Sequence, residues 1–143
     1  MNRYILDIET KPDPNLIDLF TKNISAPKTY KDEEKIKEYI ERRKAQSVKN
    51  MSIDTDYLTI ACFGIFDIQT GEAEVYGPEH LEEQMHRISR GQVITFNGKK
   101  FDLPAIIKHG MKNDLSLPYK WLKKSCGRYE STLHIDLMEE IGE

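Results

Sequence analysis

The chain has 143 residues, of which 38% are hydrophobic and 31% charged, with a formal net charge of −3. That balance is the composition of one soluble globular domain long enough to bury a core, and its slight acidity gives no bulk attraction to nucleic acid. No apolar run reaches the length of a bilayer span, Met1-Asn2-Arg3 leads straight into a strand rather than a signal peptide, and Cys62 and Cys126 lack metal-type spacing, which suggests free thiols inside a reducing, cytoplasmic compartment.

Tyr4 to Thr10 reads as an apolar strand ending in two acids. Side chains alternate along a strand, so Asp7 and Glu9 share a face and repel each other. The near-continuous apolar run predicts burial on both faces, where paired carboxylates are costly without positive charge between them. A hard divalent cation, Mg²⁺ or Mn²⁺, is the usual remedy, because such ions favour carboxylate oxygens. The plainer alternative is that both acids are solvated just beyond the strand.

Lys11-Pro12-Asp13-Pro14 interrupts regular structure, and Asn15 to Phe20 reads as a turn or two of helix. Pro27 marks a loop, and Asp32 to about Gln46 a charged, mostly exposed helix with Glu33 and Lys37 at i,i+4 spacing. Tyr57 to Asp67 is a second strand, which Gln69-Thr70-Gly71-Glu72 turns back into a third from Ala73 to Tyr76. Pro78 opens a helix through about Ser89, with Leu81, Met85 and Ile88 on one face, and Gly91 ends it.

Gln92 to Phe96 reads as a buried strand and Asn97-Gly98 as its turn. Asp102 stands where a helix N-cap would, with Pro104 tolerated in the first turn and Gly110 predicted to stop the helix after His109. A carboxylate just past the C-terminal end of a strand also lies at the rim where open α/β sheets bind ligands. A basic loop then crosses Asn113 to Arg128, Thr132 to Leu137 forms a last strand, and Met138 to Glu143 begins another helix. From Lys99 to Arg128 there are eight basic residues against Asp102 and Asp114, with Tyr119, Trp121 and Tyr129 interleaved. Cations that neutralise phosphates and aromatics that stack on unpaired bases are a single-strand binding footprint. A solvated basic surface with Trp121 in the core fits the same residues.

Asp-Ile-Glu-Thr at positions 7–10 and Phe-Asn-Gly-x-x-Phe-Asp-Leu-Pro at 96–104 together resemble the first two motifs of the DEDD 3′–5′ exonucleases. The closer resemblance is to the predicted exonucleases related to the proofreading domain of family B DNA polymerases, and it runs from Tyr4 to about Met138. It implies an α/β, ribonuclease H-like fold, a mixed β-sheet flanked by helices, and two-metal hydrolysis of phosphodiester bonds. It further implies that Asp7, Glu9 and Asp102 hold two Mg²⁺ or Mn²⁺ ions. Thr10, Asn97, Phe101 and Leu103 would lie near the strand end, and Asp136, in a similar His-x-Asp-Leu, beside the nucleic acid or the metal shell. A core anchor for Phe101 and a strand-end acid for Asp136 are the plainer roles.

The family's fourth carboxylate comes as Tyr-x-x-x-Asp or His-x-x-x-x-Asp on a helix beyond the last strand. Here only His109 and Asp114 match, in the wrong place. The expectation is therefore a single domain over 1–143 with a helical insert at about 13–50, lacking the C-terminal helices and motif. Three functions fit: a metal-dependent exonuclease on single-stranded DNA, a non-catalytic nucleic-acid-binding module, or a fragment completed by a polymerase or a second copy. No membrane association is expected.

Overall fold

The computed structural model describes residues 1–142. Five strands form one mixed sheet: β1 (Arg3–Pro12), β2 (Leu58–Asp67), β3 (Glu72–Tyr76), β4 (Gln92–Thr95) and β5 (His134–Asp136), in the order β3-β2-β1-β4-β5. β2 and β3 pair antiparallel across the predicted hairpin, whereas β4 runs parallel to both β1 and β5. Backbone bonds from Ile68 N–H to the Arg3 carbonyl, and from Asp13 N–H to the Tyr57 carbonyl, fix β2 against the direction of β1. This is the α/β, ribonuclease H-like arrangement, and it puts the C-terminal ends of β1, β4 and β5 on one edge.

The chain divides into two compact units, Met1–Thr10 with Ile60–Glu143, and Lys11–Thr59. The smaller unit holds α1 (Ile17–Thr21) and α2 (Glu33–Met51). The Asp32 carboxylate caps α2 by accepting from Glu34 N–H at 2.9 Å, and the Phe20 and Tyr57 rings meet at 4.7 Å.

The larger unit adds α3 (Leu81–Ile88), α4 (Asp102–Lys112), α5 (Tyr119–Ser125) and α6 (Leu137–Glu140). Its core takes Leu6, Ile8, Ile60 and Phe63 from the sheet and Leu81, Met85, Ile88, Leu103, Ile106 and Leu122 from the helices, all buried. Each such side chain contributes roughly 1.5–3 kcal/mol on leaving water. His109 is buried as well, and its Nδ1 accepts from Ile60 N–H at 3.2 Å, a tie between α4 and β2.

Three readings change. α4 runs through Gly110 to Lys112, because Gly110 serves packing rather than termination: a Cβ there would press on the Leu117 side chain and the Tyr119 hydroxyl. The expected loop over 113–128 contains α5, whose buried residues are only Leu122 and the polar Ser125, too little apolar pattern to show through the lysines. The final helix is α6, and Glu143, assigned to that helix from the sequence, lies outside the described residues. No helix among the described residues is long and apolar enough to cross a membrane.

Candidate active site

Register sets the site. Tyr4, Val93 and His134 pair across β1, β4 and β5 and are all buried, so that row faces the core. Ile5, Ile94 and Ile135 form the next row on the opposite face, where Ile5 is 42% exposed. By the pleat, Asp7 and Glu9 lie with Ile5 on this open face, Asp7 level with the exit of β4. The expected burial of both faces of β1 is therefore corrected: Tyr4, Leu6 and Ile8 are buried, while Asp7 and Glu9 are exposed.

Asp102 reaches β1 from the other side of the exit. It is the first residue of α4 rather than its cap; Phe101 holds the cap position and makes no side-chain cap bond. The Asp102 side chain is 5% exposed and its carboxylate hydrogen-bonds the backbone at Ile8, between the two strand acids. Burial first, and the charge of Asp7 second, push this carboxyl from 3.8 up to about 6. Asp7 and Asp102, far apart in sequence, thus feel each other.

A turn from Asn97 to Phe101 delivers Asp102 to that place. Asn97 adopts the left-handed conformation at φ 62°, which asparagine tolerates better than most residues. Its N–H donates to Asp136 Oδ1 at 2.7 Å, and Lys99 N–H donates to Asp136 Oδ2 at 3.0 Å. Met138 N–H adds a third bond to Oδ1 at 3.1 Å, capping α6. Gly98 N–H donates to the Thr95 hydroxyl at 3.0 Å, and a Cβ on Gly98 would strike the Thr95 side chain. Thr95 Oγ1 in turn lies 2.7 Å from His134 Nε2, and His134 Nδ1 lies 2.9 Å from the Ser125 carbonyl. A carbonyl can only accept, so Nδ1 carries the proton and Nε2 accepts from Thr95. Desolvation lowers the His134 pKa, which keeps the ring neutral.

These contacts revise several expected roles. Asp136 is 2% exposed on the core row of β5 with both oxygens engaged by backbone N–H groups, so it positions the turn instead of touching nucleic acid. Leu103 is fully buried and belongs to the core, not the strand end. Asn97, Phe101 and Thr10 are each partly exposed at the same edge. Two features escaped the sequence reading. Phe96, assigned to a buried strand, is 63% exposed where β4 opens beside Asp7; its parity with Ile94 was the available signal. Lys99 is buried, with Nζ 2.7 Å from Glu139 Oε2, a pairing that joins the turn to α6 and has no local pattern.

Among the described residues no three His, Cys, Asp or Glu side chains converge into a ready cage. The donor chemistry still suits a hard divalent cation, since the three acids offer only carboxylate oxygen. Beyond burial, which raises the Asp102 carboxyl most, the repulsion from Asp7 that adds to the rise is what a cation between the two would relieve.

The profile of the family described as "Predicted 3'-5' exonuclease related to the exonuclease domain of PolB" matches residues 61–143. That span includes Asp102 and Asp136 and leaves Asp7 and Glu9 outside. The structure of the family B DNA polymerase from the hyperthermophilic archaeon Pyrobaculum calidifontis is similar over 80% of this chain, at 10% identity and a TM-score of 0.44. The similar region covers 11% of the polymerase chain. No curated protein matches in sequence.

Proposed function

Because the chain belongs to the family of predicted 3′–5′ exonucleases related to the exonuclease domain of PolB, we propose that it hydrolyses single-stranded DNA from the 3′ end with Mg²⁺ or Mn²⁺. The observation that carries the reading is the approach of Asp102 to β1, where burial and then the charge of Asp7 raise its carboxyl to about 6. Asp7, Glu9 and Asp102 are the residues that would hold the ions. Bound there, the ions would supply activation of a water and neutralisation of charge on the phosphate and the leaving oxygen.

The reaction is addition of water to phosphorus and departure of the 3′ oxygen of the preceding nucleotide. The chain's own groups orient it. Asp7 and Glu9 stand on the open face of β1, while the Asp136 clamp on Asn97 and Lys99 holds the turn that brings Asp102 to its place. Phe96 and Phe101, at the same edge, offer aromatic surface to the terminal base, and Thr10 and Asn97 offer polar groups to its sugar and phosphate.

The exposed Lys120, Lys123, Lys124 and Arg128 favour one other reading, a module that binds single strands without cutting them. Degradation of 5′-labelled single-stranded DNA separates the two. The exonuclease gives a divalent-dependent ladder shortening from the 3′ end, lost in Asp7→Asn and in Asp102→Asn. Equal degradation by wild type and both variants, or binding with no turnover in either metal, sinks the exonuclease.

A further inference from the structure

The C-terminal part of the positive stretch, from Lys120 to Arg128, takes no part in the site above. α5 and the turn after it present Lys120, Lys123, Lys124 and Arg128, all exposed. The acid closest to them in sequence, Glu130, is engaged locally: its carboxylate accepts from the N–H groups of Thr132 at 2.7 Å and Leu133 at 2.8 Å. Beside α5 opens a cleft of about 610 Å³, walled by Pro118, Trp121 and Leu133 and edged by Lys120 and Lys124, with no acid among its described lining residues. Trp121 is half-buried, and the fold gives its indole N–H no acceptor, whereas a buried tryptophan N–H ordinarily finds one. Tyr129, in the turn after α5, is 89% exposed under the Arg128 guanidinium at 5.6 Å.

We propose that this cleft is a second strand-binding subsite, in which an unpaired base of single-stranded nucleic acid stacks on Trp121 while Lys120 and Lys124 neutralise the flanking phosphates. A groove that pairs cations with an aromatic face holds single strands without regard to sequence, because every base has a π-face and every linkage a charge. Its place gives it a separate task. Leu133 immediately precedes β5, so the cleft opens at the opposite end of that strand from Asp136, about 10 Å away at ~3.3 Å per residue. A strand whose 3′ end lies at the carboxylates would be gripped here upstream of the cut. The assignment rests on the nuclease reading for this route of the strand, and on the cleft alone for the ligand class.

Trp121 is the chain's one tryptophan, so intrinsic fluorescence reports on the cleft directly. Oligothymidylate is titrated into the whole protein in EDTA, which keeps the strand intact, and anisotropy of a labelled copy gives an independent affinity. The expected result is a saturable change in tryptophan emission with the same midpoint as the anisotropy. Lys120→Gln/Lys124→Gln should flatten the plot of log affinity against log salt by about 1.4, two phosphates at roughly 0.7 each. Trp121→Ala should bind about tenfold more weakly and Trp121→Phe close to wild type. Unchanged emission, with wild-type affinity in the lysine pair, overturns the subsite. Asp7→Asn keeps the two readings apart: loss of degradation with no cleft effect leaves the nuclease standing without this subsite. The reverse leaves the subsite without the nuclease.

Discussion

The Asp136 carboxylate accepts the Asn97 backbone N–H at 2.7 Å, across 39 residues of sequence, and so ties the end of β5 to the turn that delivers Asp102. The same carboxylate takes the N–H groups of Lys99 and Met138. Asp136→Ala strands these donors at a site that is 2% exposed. The expected loss is about 2–4 kcal/mol, since charge-assisted bonds and unmet buried donors both count. Urea unfolding measures it, and a change below about 0.5 kcal/mol, the ordinary effect of a surface substitution, would show that the clamp is not holding the turn.

Asp102 links stability to pH in the opposite sense from a salt-bridged acid. Its carboxyl titrates near 6 in the folded chain against 3.8 ordinarily. Between those values the folded chain holds a proton that the unfolded chain has lost, so stability falls as pH rises from about 4 to 6 and then levels. Asp102→Asn removes this slope and should stabilise the protein at pH 7 by about 3 kcal/mol while ending turnover. Unfolding curves at pH 4.5 and 7 for the two proteins decide it. A wild type that gains stability across that window relative to the variant contradicts the assignment.

His134 acts against that slope at a different place. Desolvation lowers its pKa, so the unfolded chain takes up a proton first as pH falls below about 6.5. Stability that is full above that value is then lost on acidification. His134→Gln should unfold more easily at pH 7 and show less of this acid loss. Subtracting its unfolding curve from that of wild type isolates the term from that of Asp102.

A divalent cation held by Asp7, Glu9 and Asp102, as proposed, would stabilise the folded chain by mass action. Mn²⁺ at a hundred times its dissociation constant adds about 2.7 kcal/mol. Thermal melts should rise with Mn²⁺ for wild type and stay flat for Asp7→Asn and Asp102→Asn. A rise of equal size in all three places the ion elsewhere.

Two neighbouring apolar residues should behave unlike each other. Leu103 is fully buried, and Leu103→Ala should cost about 2–5 kcal/mol. Phe96 is 63% exposed, and Phe96→Ala should leave stability within about 0.5 kcal/mol while weakening retention of the strand end, read as a higher KM. A destabilised Phe96→Ala protein with normal KM reverses the assignment.

β1 and β4 themselves were legible because Tyr4–Thr10 and Gln92–Phe96 carry strong strand patterns closed by acids and by Asn-Gly, whereas their parallel pairing was implied only by the resemblance to a ribonuclease H-like fold. Which face each residue takes was not legible. Periodicity separates odd from even positions but does not say which set is covered, so Phe96 was assigned inside; Leu103 was placed at the strand end by the family resemblance, which carries no burial. α5 was hidden because its buried residues, Leu122 and Ser125, sit among three lysines. The role of Asp136 was illegible for another reason: its partners are main-chain N–H groups, which every residue but proline possesses.

The two faces of β1 have a consequence for insertions and deletions. Tyr4, Leu6 and Ile8 anchor the strand, and Asp7 and Glu9 ride on the same pleat in alternation. Inserting one residue between Leu6 and Asp7 would invert everything beyond it, driving two carboxylates into the core and Ile8 into water. Such a chain could not fold with its acids misplaced. Quality control on folding therefore also proofreads the spacing of the chemistry, and length variation near this site belongs between Lys11 and Thr59.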